Sequence, residues 1–593
     1  MKILAAPINT TPGDFAGNFR IIQEKIEEAN ASDCKMVVFP ELSIPGYLSC
    51  DMMFRKSYVQ KNLNTLHKIV DISQIHSDIY IVVGYIDRNT SGIGKPFHNC
   101  LAVIHNGAVI GTYQKHLLPF YDVFDEGRYY EPGTNHLVLN IEGERFGFTI
   151  CEDIWNDKGQ EDYNYRDNPV RYYIENAQVD TIINISSSPY CVLKTNLKKH
   201  ILRDIANVGF DSHSPYRTNI VYVNQYGGQD ELVFNGDCYC ITGGYLKEYT
   251  PLMRNESPIF DTKPETIFGR FQPNTLNSEE ELFNMVVLGL RDYIQKTGFK
   301  EVVLGSSGGI DSAVVLALAC EAIGAENVTA IMMPSIYSSE GSTKDAQALH
   351  AAYGCKELTV PIEHEKILEK IVVDLELGEV FEDVHNIMNP GEETLEVVHY
   401  YNHVADENIQ ARLRGMVVMH YSNATGAIPL TTGNKTENAV GYCTLYGDMN
   451  GGFNPIKDLY KNQVFNLARY INKKYDKEMV PESIINKPPT AELRPDQTDE
   501  ASLLPYELLD DIVYNYIENY IDDFESWAKL EKSGTLLDNH LPDRREARKE
   551  YERIVRLIDI AEYKRRQAAP GVKVSRVAFG TGRRLPIVSR KGV

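Results

Sequence analysis

The chain has 593 residues, 43% hydrophobic and 24% charged, with a formal net charge of −22. That is far more than the roughly 100–200 residues of one domain, so two large soluble domains or three smaller ones are expected, and the acidic balance argues against general binding to nucleic acid or anionic membranes. Ten cysteines occur with no CxxC pair and no zinc spacing, the N-terminus lacks a signal peptide's apolar core, and no long apolar run suits a membrane span; a reducing cytoplasm is the expected setting.

Residues 1–250 alternate short β-branched runs with helical stretches. Lys2–Ala6 reads as a first strand, Asn18–Ala29 as a charged helix, and Met36–Phe39 as a buried strand ending at Pro40-Glu41. Ile79–Tyr85 is a further strand. Leu101–Ile104 and Ala108–Tyr113 flank Asn106-Gly107, a strong short hairpin signal. Phe146–Ile150 leads into Cys151, and Thr181–Ile185 leads into Ser186-Ser187-Ser188. Ile220–Val223 and Glu231–Phe234 follow, the latter ending at a second Asn-Gly, Asn235-Gly236. So many strands mixed with helices predict a layered α/β or α+β sandwich.

Residues 251–275 carry four prolines without a period and read as a connecting segment, leaving 276–593 as a second domain. Glu279–Lys296 is helix-like. Val302-Val303-Leu304 is a strand, Gly305 to Gly309 a glycine- and serine-rich turn, and a helix begins near Asp311. Such a turn offers free backbone N–H groups and a helix N-terminus to an anion, and glycine lets the backbone approach it closely. No Gly-Lys-Ser/Thr follows, so this is not a Walker A loop. Strands at Asn327–Pro334 and Glu357–Pro361 around a helix at Thr343–Tyr353 give a βαβαβ order, hence a parallel, doubly wound sheet with ligand at the strand C-termini. Residues 376–404 are acidic and irregular.

Three reactive residues follow strands in the first half: Glu41, Lys115 and Cys151. Alone, each fits a bland role as a solvated charge or a small buried thiol. Together they suit amide hydrolysis, with a thiol nucleophile, a carboxylate base and an ammonium for the oxyanion. Their segments, Phe39-Pro40-Glu41-Leu42, Tyr113-Gln114-Lys115-His116 and Ile150-Cys151-Glu152-Asp153, resemble the Glu-Lys-Cys sites of the nitrilase superfamily. That resemblance implies an α-β-β-α sandwich, a second glutamate at Glu126, and Tyr121, Ser188 and Lys194 as substrate-holding positions. Lys194 stands where some relatives have arginine, and a lysine cannot make the bidentate fork.

In the second half, Ser307-Gly308-Gly309-Ile310-Asp311-Ser312 resembles the SGGxDS loop of the ATP pyrophosphatases. Asn434-Lys435-Thr436-Glu437, the run from Gly441 to Asp448, and Ala491-Glu492-Leu493-Arg494-Pro495 narrow the resemblance to the NAD synthetases; the nitrilase-like half points to the glutamine-dependent members. The resemblance implies glutamine hydrolysis to ammonia in domain 1–250 and passage of the ammonia through an internal tunnel. It also implies that ATP adenylates deamido-NAD in the second domain, giving NAD, AMP and pyrophosphate. It implies ATP binding by Gly305, Ser306, Ser307, Gly308, Gly309, Ile310, Asp311 and Ser312, with Thr432 assisting. Asp311 and Glu437 would hold Mg2+; Asn408, Glu437, Tyr442, Cys443, Thr444, Leu445 and Lys564 would contact deamido-NAD; Lys461 would bind phosphate. It further implies a homo-oligomer, with no nucleic-acid or membrane partner. Ser306 departs from the alkyl residue common before SGGxDS. Another amidotransferase of the same ATP-loop type, with a different carboxylate acceptor, is the alternative.

Overall fold

The computed structural model describes the chain except residues 157–164, 193, 209–217, 244, 250–256, 264–277, 368–377, 382–395, 400–402, 495–496, 498, 500–502 and 590–593. It divides into two compact units, Met1–Lys296 with Lys573–Arg576, and Thr297–Val572 with Val577–Val593.

In the first unit the chain runs β1 (Lys2–Ala5), α1 (Phe15–Ala31), β2 (Met36–Val38), α2 (Lys56–Ile75), β3 (Tyr80–Arg88), β4 (Phe97–His105), β5 (Ala108–Gln114), β6 (Val138–Ile141) and β7 (Glu144–Ile150). It continues through α3 (Pro169–Arg171), β8 (Thr181–Ser186), α4 (Lys194–Asn207), β9 (Asn219–Asn224), β10 (Tyr226–Gln229), β11 (Leu232–Asn235), β12 (Cys238–Thr242), β13 (Tyr245–Tyr249), β14 (Ile259–Asp261) and α5 (Ser278–Thr297). Two six-stranded sheets form, ordered β14-β1-β2-β3-β4-β5 and β13-β12-β9-β8-β7-β6. Alternation sorts the side chains. Ile3, Ala5, Met36 and Val38 meet Phe146, Phe148, Ile150 and Ile183 in a core between the sheets. Leu4, Val37 and Ile81 pack outward against Ile22, Ile26 and Ile69 of α1 and α2, while Ile182, Ile220 and Tyr222 pack against Ile201, Leu202 and Ile205 of α4. This is the expected α-β-β-α sandwich. Asn106-Gly107 turns the β4–β5 hairpin as predicted, both residues having positive φ. Asn235-Gly236 instead separates two sheets, and β11 pairs back to β10 around Asp230-Glu231.

The predicted connection at 251–275 is partly structured. β14 adds an antiparallel edge to β1, while most of the rest lies outside the described residues. The first unit also extends through α5, beyond the boundary expected at 276. Asp292 accepts from Asn9 Nδ2 at 2.7 Å and Gly228 N at 2.6 Å, and Lys296 Nζ donates to Asn9 Oδ1, Thr10 O and Gly228 O. Such partly buried polar anchors have no local sequence signature. A further segment arrives from the far end of the chain. Val192 N donates to Val574 O at 2.9 Å, Lys573 N to Glu231 O at 2.7 Å, and Lys573 Nζ pairs with Asp122 at 3.0 Å.

The second unit holds a parallel sheet ordered β17-β16-β15-β20, from β15 (Val302–Gly305), β16 (Val328–Met332), β17 (Lys356–Thr359) and β20 (Ile428–Leu430). Within the acidic stretch, β18 (Gly378–Phe381) and β19 (Glu396–His399) pair antiparallel; most of the remainder lies outside the described residues. Helix α6 (Ile310–Ile323) is buried along nearly its whole length, as expected of its Ala, Val and Leu run, and α7 (Glu340–Tyr353) follows. A second core lies among the C-terminal helices, around Trp527, Tyr551, Leu508 and Ile554. Among the described residues no helix is long and apolar enough to cross a membrane.

Candidate functional site

In the first unit the reactive residues stand just beyond the C-terminal ends of strands: Glu41 after β2, Lys115 after β5, Cys151 after β7. Lys115 Nζ lies 2.7 Å from Glu41 Oε1 and 2.8 Å from Glu126 Oε1, and these side chains are almost wholly enclosed. Burial works against the Lys115 charge, but Glu126 and Glu41 outweigh it and hold the ammonium well above its ordinary value. Burial pushes Glu126 up to about 7 against the pull of Lys115. Glu41 is aimed by three further bonds: Asn99 Nδ2 donates to Oε1 at 2.7 Å, Ser187 N to Oε2 at 3.0 Å, and Ser187 Oγ to its backbone carbonyl at 3.0 Å.

Cys151 is buried and has φ +46°, a strained conformation for a non-glycine residue at the mouth of β7. Burial raises its thiol well above the ordinary value, Glu41 adds to this and Lys115 opposes it. Burial thus favours the thiol over the thiolate, and a thiolate at this position would need an adjacent base to form.

The predicted glutamine-holding residues all lie in this unit, with partners the sequence did not announce. Tyr121 donates its hydroxyl to Glu152 at 2.9 Å, and Tyr165 donates to the same carboxylate at 2.9 Å. Ser188 is fixed through its backbone by Asn224, whose Oδ1 accepts from Ser188 N at 2.8 Å and whose Nδ2 donates to Ser188 O at 3.0 Å. The Lys194 ammonium lies 5.5 Å from the Trp155 ring centroid, and burial with the nearby Lys198 lowers it to about 8. Glu152 was within the quoted Cys151 segment but carried no separate signal; Asn99 and Ser187 had none.

In the second unit a cavity of about 610 Å³ collects most of the residues expected to bind nucleotide. Gly305, Ser306, Ser307, Gly309, Ile310, Asp311 and Ser312 line it, with Thr432, Asn408, Glu437, Tyr442, Cys443, Thr444, Lys461 and Lys564. Gly308 lines a smaller neighbouring cleft, and its φ of +75° suits a glycine. A Cβ there would meet the Ser342 carbonyl oxygen at 2.1 Å. Leu445 does not line the large cavity; its carbonyl accepts from Arg412 Nε at 3.3 Å. Ser306 Oγ, the departure noted in the sequence, is 2.8 Å from Nε2 of His350, which packs the loop against α7.

Lys461 Nζ bridges the expected magnesium carboxylates, at 2.5 Å from Asp311 Oδ2 and 2.9 Å from Glu437 Oε1. Asn434 caps helix Lys435–Val440 and donates Nδ2 to Asp311 Oδ1 at 2.9 Å. Burial, then Asp311, pushes Glu437 up to about 8. Two carboxylates thus share one ammonium, a donor set that suits an added hard cation. Lys564 Nζ donates to the Gly441 and Cys443 carbonyls at 2.8 Å each, and Thr444 Oγ1 donates to Asn408 Oδ1 at 2.5 Å, so the dinucleotide segment is pinned at both points.

Comparison with known proteins agrees with both halves. Residues 3–179 match the carbon-nitrogen hydrolase family and residues 282–568 the NAD synthase family. Glutamine-dependent NAD(+) synthetase of Thermotoga maritima is 37% identical, with 100% of this chain and 99% of that protein covered. The enzyme of the same name from Acinetobacter baylyi is 36% identical, with 99% and 98% covered. The solved structure of glutamine-dependent NAD+ synthetase from Acinetobacter baumannii in complex with ADP aligns at TM-score 0.70 and 33% identity, over 99% of this chain and 98% of that one.

Proposed function

We infer the chemistry of this chain from its kinship: it belongs to the glutamine-dependent NAD(+) synthetases. It hydrolyses glutamine to ammonia and uses that ammonia, with ATP, to convert deamido-NAD to NAD, AMP and pyrophosphate. The observation that carries the first half is the Lys115 ammonium held between Glu41 and Glu126 where Cys151 stands.

Glu41 takes the Cys151 proton as the sulfur attacks the glutamine amide carbon. The developing oxyanion meets the Lys115 ammonium, and Glu41 returns the proton to departing ammonia, leaving a thioester that water cleaves. Tyr121, Glu152, Ser188 and Lys194 hold the glutamine. Glu152 is the residue added to the expected set, because its carboxylate accepts from the Tyr121 hydroxyl and suits an α-ammonium group.

In the second unit the SGGIDS loop cradles the ATP phosphates with backbone N–H groups at the start of α6. ATP transfers AMP to the nicotinate carboxylate and pyrophosphate leaves; ammonia then displaces AMP. Lys461 places its charge on the phosphates. Asp311 and Glu437 would hold magnesium, which supplies positive charge against the phosphate oxygens. Asn408, Tyr442, Cys443, Thr444 and Lys564 shape the dinucleotide pocket. A homo-oligomer in the cytoplasm completes the reading, and size-exclusion chromatography with light scattering tests the assembly.

The deciding experiment supplies ATP and deamido-NAD with either glutamine or ammonium. Cys151→Ala is expected to lose glutamine-driven NAD synthesis by at least about 10³-fold while keeping the ammonium-driven reaction. Loss of both reactions in a folded variant, or amidation of a different carboxylate in preference to deamido-NAD, would sink the reading.

A further inference from the structure

A second cluster in the first unit plays no part in the chemistry above. His116 follows Lys115 directly in the chain and is buried. Its Nδ1 lies 2.7 Å from Asp167 Oδ2, and its Nε2 lies 3.2 Å from the Asn135 carbonyl oxygen. The His136 ring centre is 4.8 Å from that of His116. His136 Nδ1 is buried with no hydrogen-bond partner among the described residues. One ligating atom from each of His116, His136 and Asp167 lies within 4.8 Å of the other two.

We propose that His116, His136 and Asp167 form a binding site for a divalent transition-metal ion of the zinc class. Two imidazoles with one carboxylate are a borderline donor set; Mg2+ and Ca2+ prefer oxygen alone, and soft ions prefer thiolate. Zinc bonds of about 2.0–2.2 Å place neighbouring ligand atoms about 3.3–3.5 Å apart, so the observed spacing closes on an ion with small side-chain shifts.

The surroundings are those of a ligand set. Asn135 offers its carbonyl to Nε2–H of His116, which leaves Nδ1 to face the ion, the usual support of a metal-bound imidazole. Tyr172 stacks on His136 at 3.7 Å between ring centres and 16° between planes, fixing the second ring. The Asp167 side chain is half exposed, giving an ion a way in, and three protein ligands leave a position open for water.

Occupancy has a positional consequence. His116 N donates to Asp153 Oδ1 at 3.1 Å and Leu117 N donates to the same oxygen at 2.8 Å, so the backbone after Lys115 is already tied to the segment after Cys151. An ion on His116 and Asp167 adds a second tie between the two.

The test is titration of the full chain with Co2+, read by its visible d–d absorption, followed by displacement with Zn2+. One saturable equivalent is expected. His136→Ala and Asp167→Asn should each weaken it at least about tenfold. Asp167→Asn alters a half-exposed side chain, so it reports binding even if His136→Ala folds poorly. No saturable equivalent in the parent chain, or unchanged affinity in folded Asp167→Asn, overturns the proposal.

Discussion

Both units hold a lysine ammonium between two carboxylates, and they enclose it to different degrees. Lys115 sits between Glu41 and Glu126 with all three side chains almost fully enclosed. Lys461 is as buried, but its partners Asp311 and Glu437 keep 18% and 15% of their side-chain surface and line an open cavity. A charge enclosed on all sides is a fixed part, ready for an oxyanion of known position. A charge whose partners face a cavity can be shared with incoming phosphate or a second cation. The exposure of the carboxylates, rather than the ion triad itself, separates the two arrangements.

The largest expected effect comes from breaking the enclosed triad. Lys115→Ala leaves Glu41 and Glu126 buried with no cation, a loss of about 3–5 kcal/mol in stability, with glutaminase activity down at least about 10²–10³-fold. Chemical denaturation and glutamine turnover measure the two. Lys461→Ala should cost less stability, and added Mg2+ should recover part of it by raising the melting temperature, while ammonium-driven synthesis falls about 10²-fold. If Mg2+ rescues the Lys115 variant equally well, the contrast between the units fails.

Gly308→Ala tests the ATP loop, because its new Cβ would need the Ser342 carbonyl to move. A rise of about tenfold in the ATP KM is expected, with glutaminase unchanged; an unaltered KM would mean the loop yields freely. A further test concerns pH. Glu437 rises from an ordinary 4.5 to about 8 on folding, so the folded chain holds that proton more tightly than the unfolded one. The resulting stability is fully present below about pH 4.5 and is lost as pH rises through about 8. Glu437→Gln cannot ionise, and its melting temperature without ligands should fall less over that window.

Much of this was legible in the chain. The strand-end positions of Glu41, Lys115 and Cys151 and the strand–turn–helix around Gly305 are local patterns, and local patterns survive without neighbours. The placement of Lys461 between Asp311 and Glu437 was not legible. The sequence offered it as a phosphate ligand, whereas its contact with Asp311 spans 150 positions. Asn99 on Glu41, Glu152 under Tyr121 and the anchoring of α5 by Asn9 and Gly228 were hidden for the same reason. A polar side chain advertises its type in sequence, and only the fold decides which distant partner it meets. Leu445 is the opposite case: its motif was recognisable, yet the residue does not line the large cavity and its carbonyl accepts from Arg412.

The segment Lys573–Arg576 bears on the order in which the chain is made. During synthesis the first 296 residues emerge long before these four, so the first unit must wait for them to supply partners to Val192, Glu231 and Asp122. Asp122 adjoins Tyr121, and Val192 lies between Ser188 and Lys194. The part of the first unit made last thus borders the residues proposed to hold glutamine, and a nascent chain that has not reached Lys573 lacks these contacts.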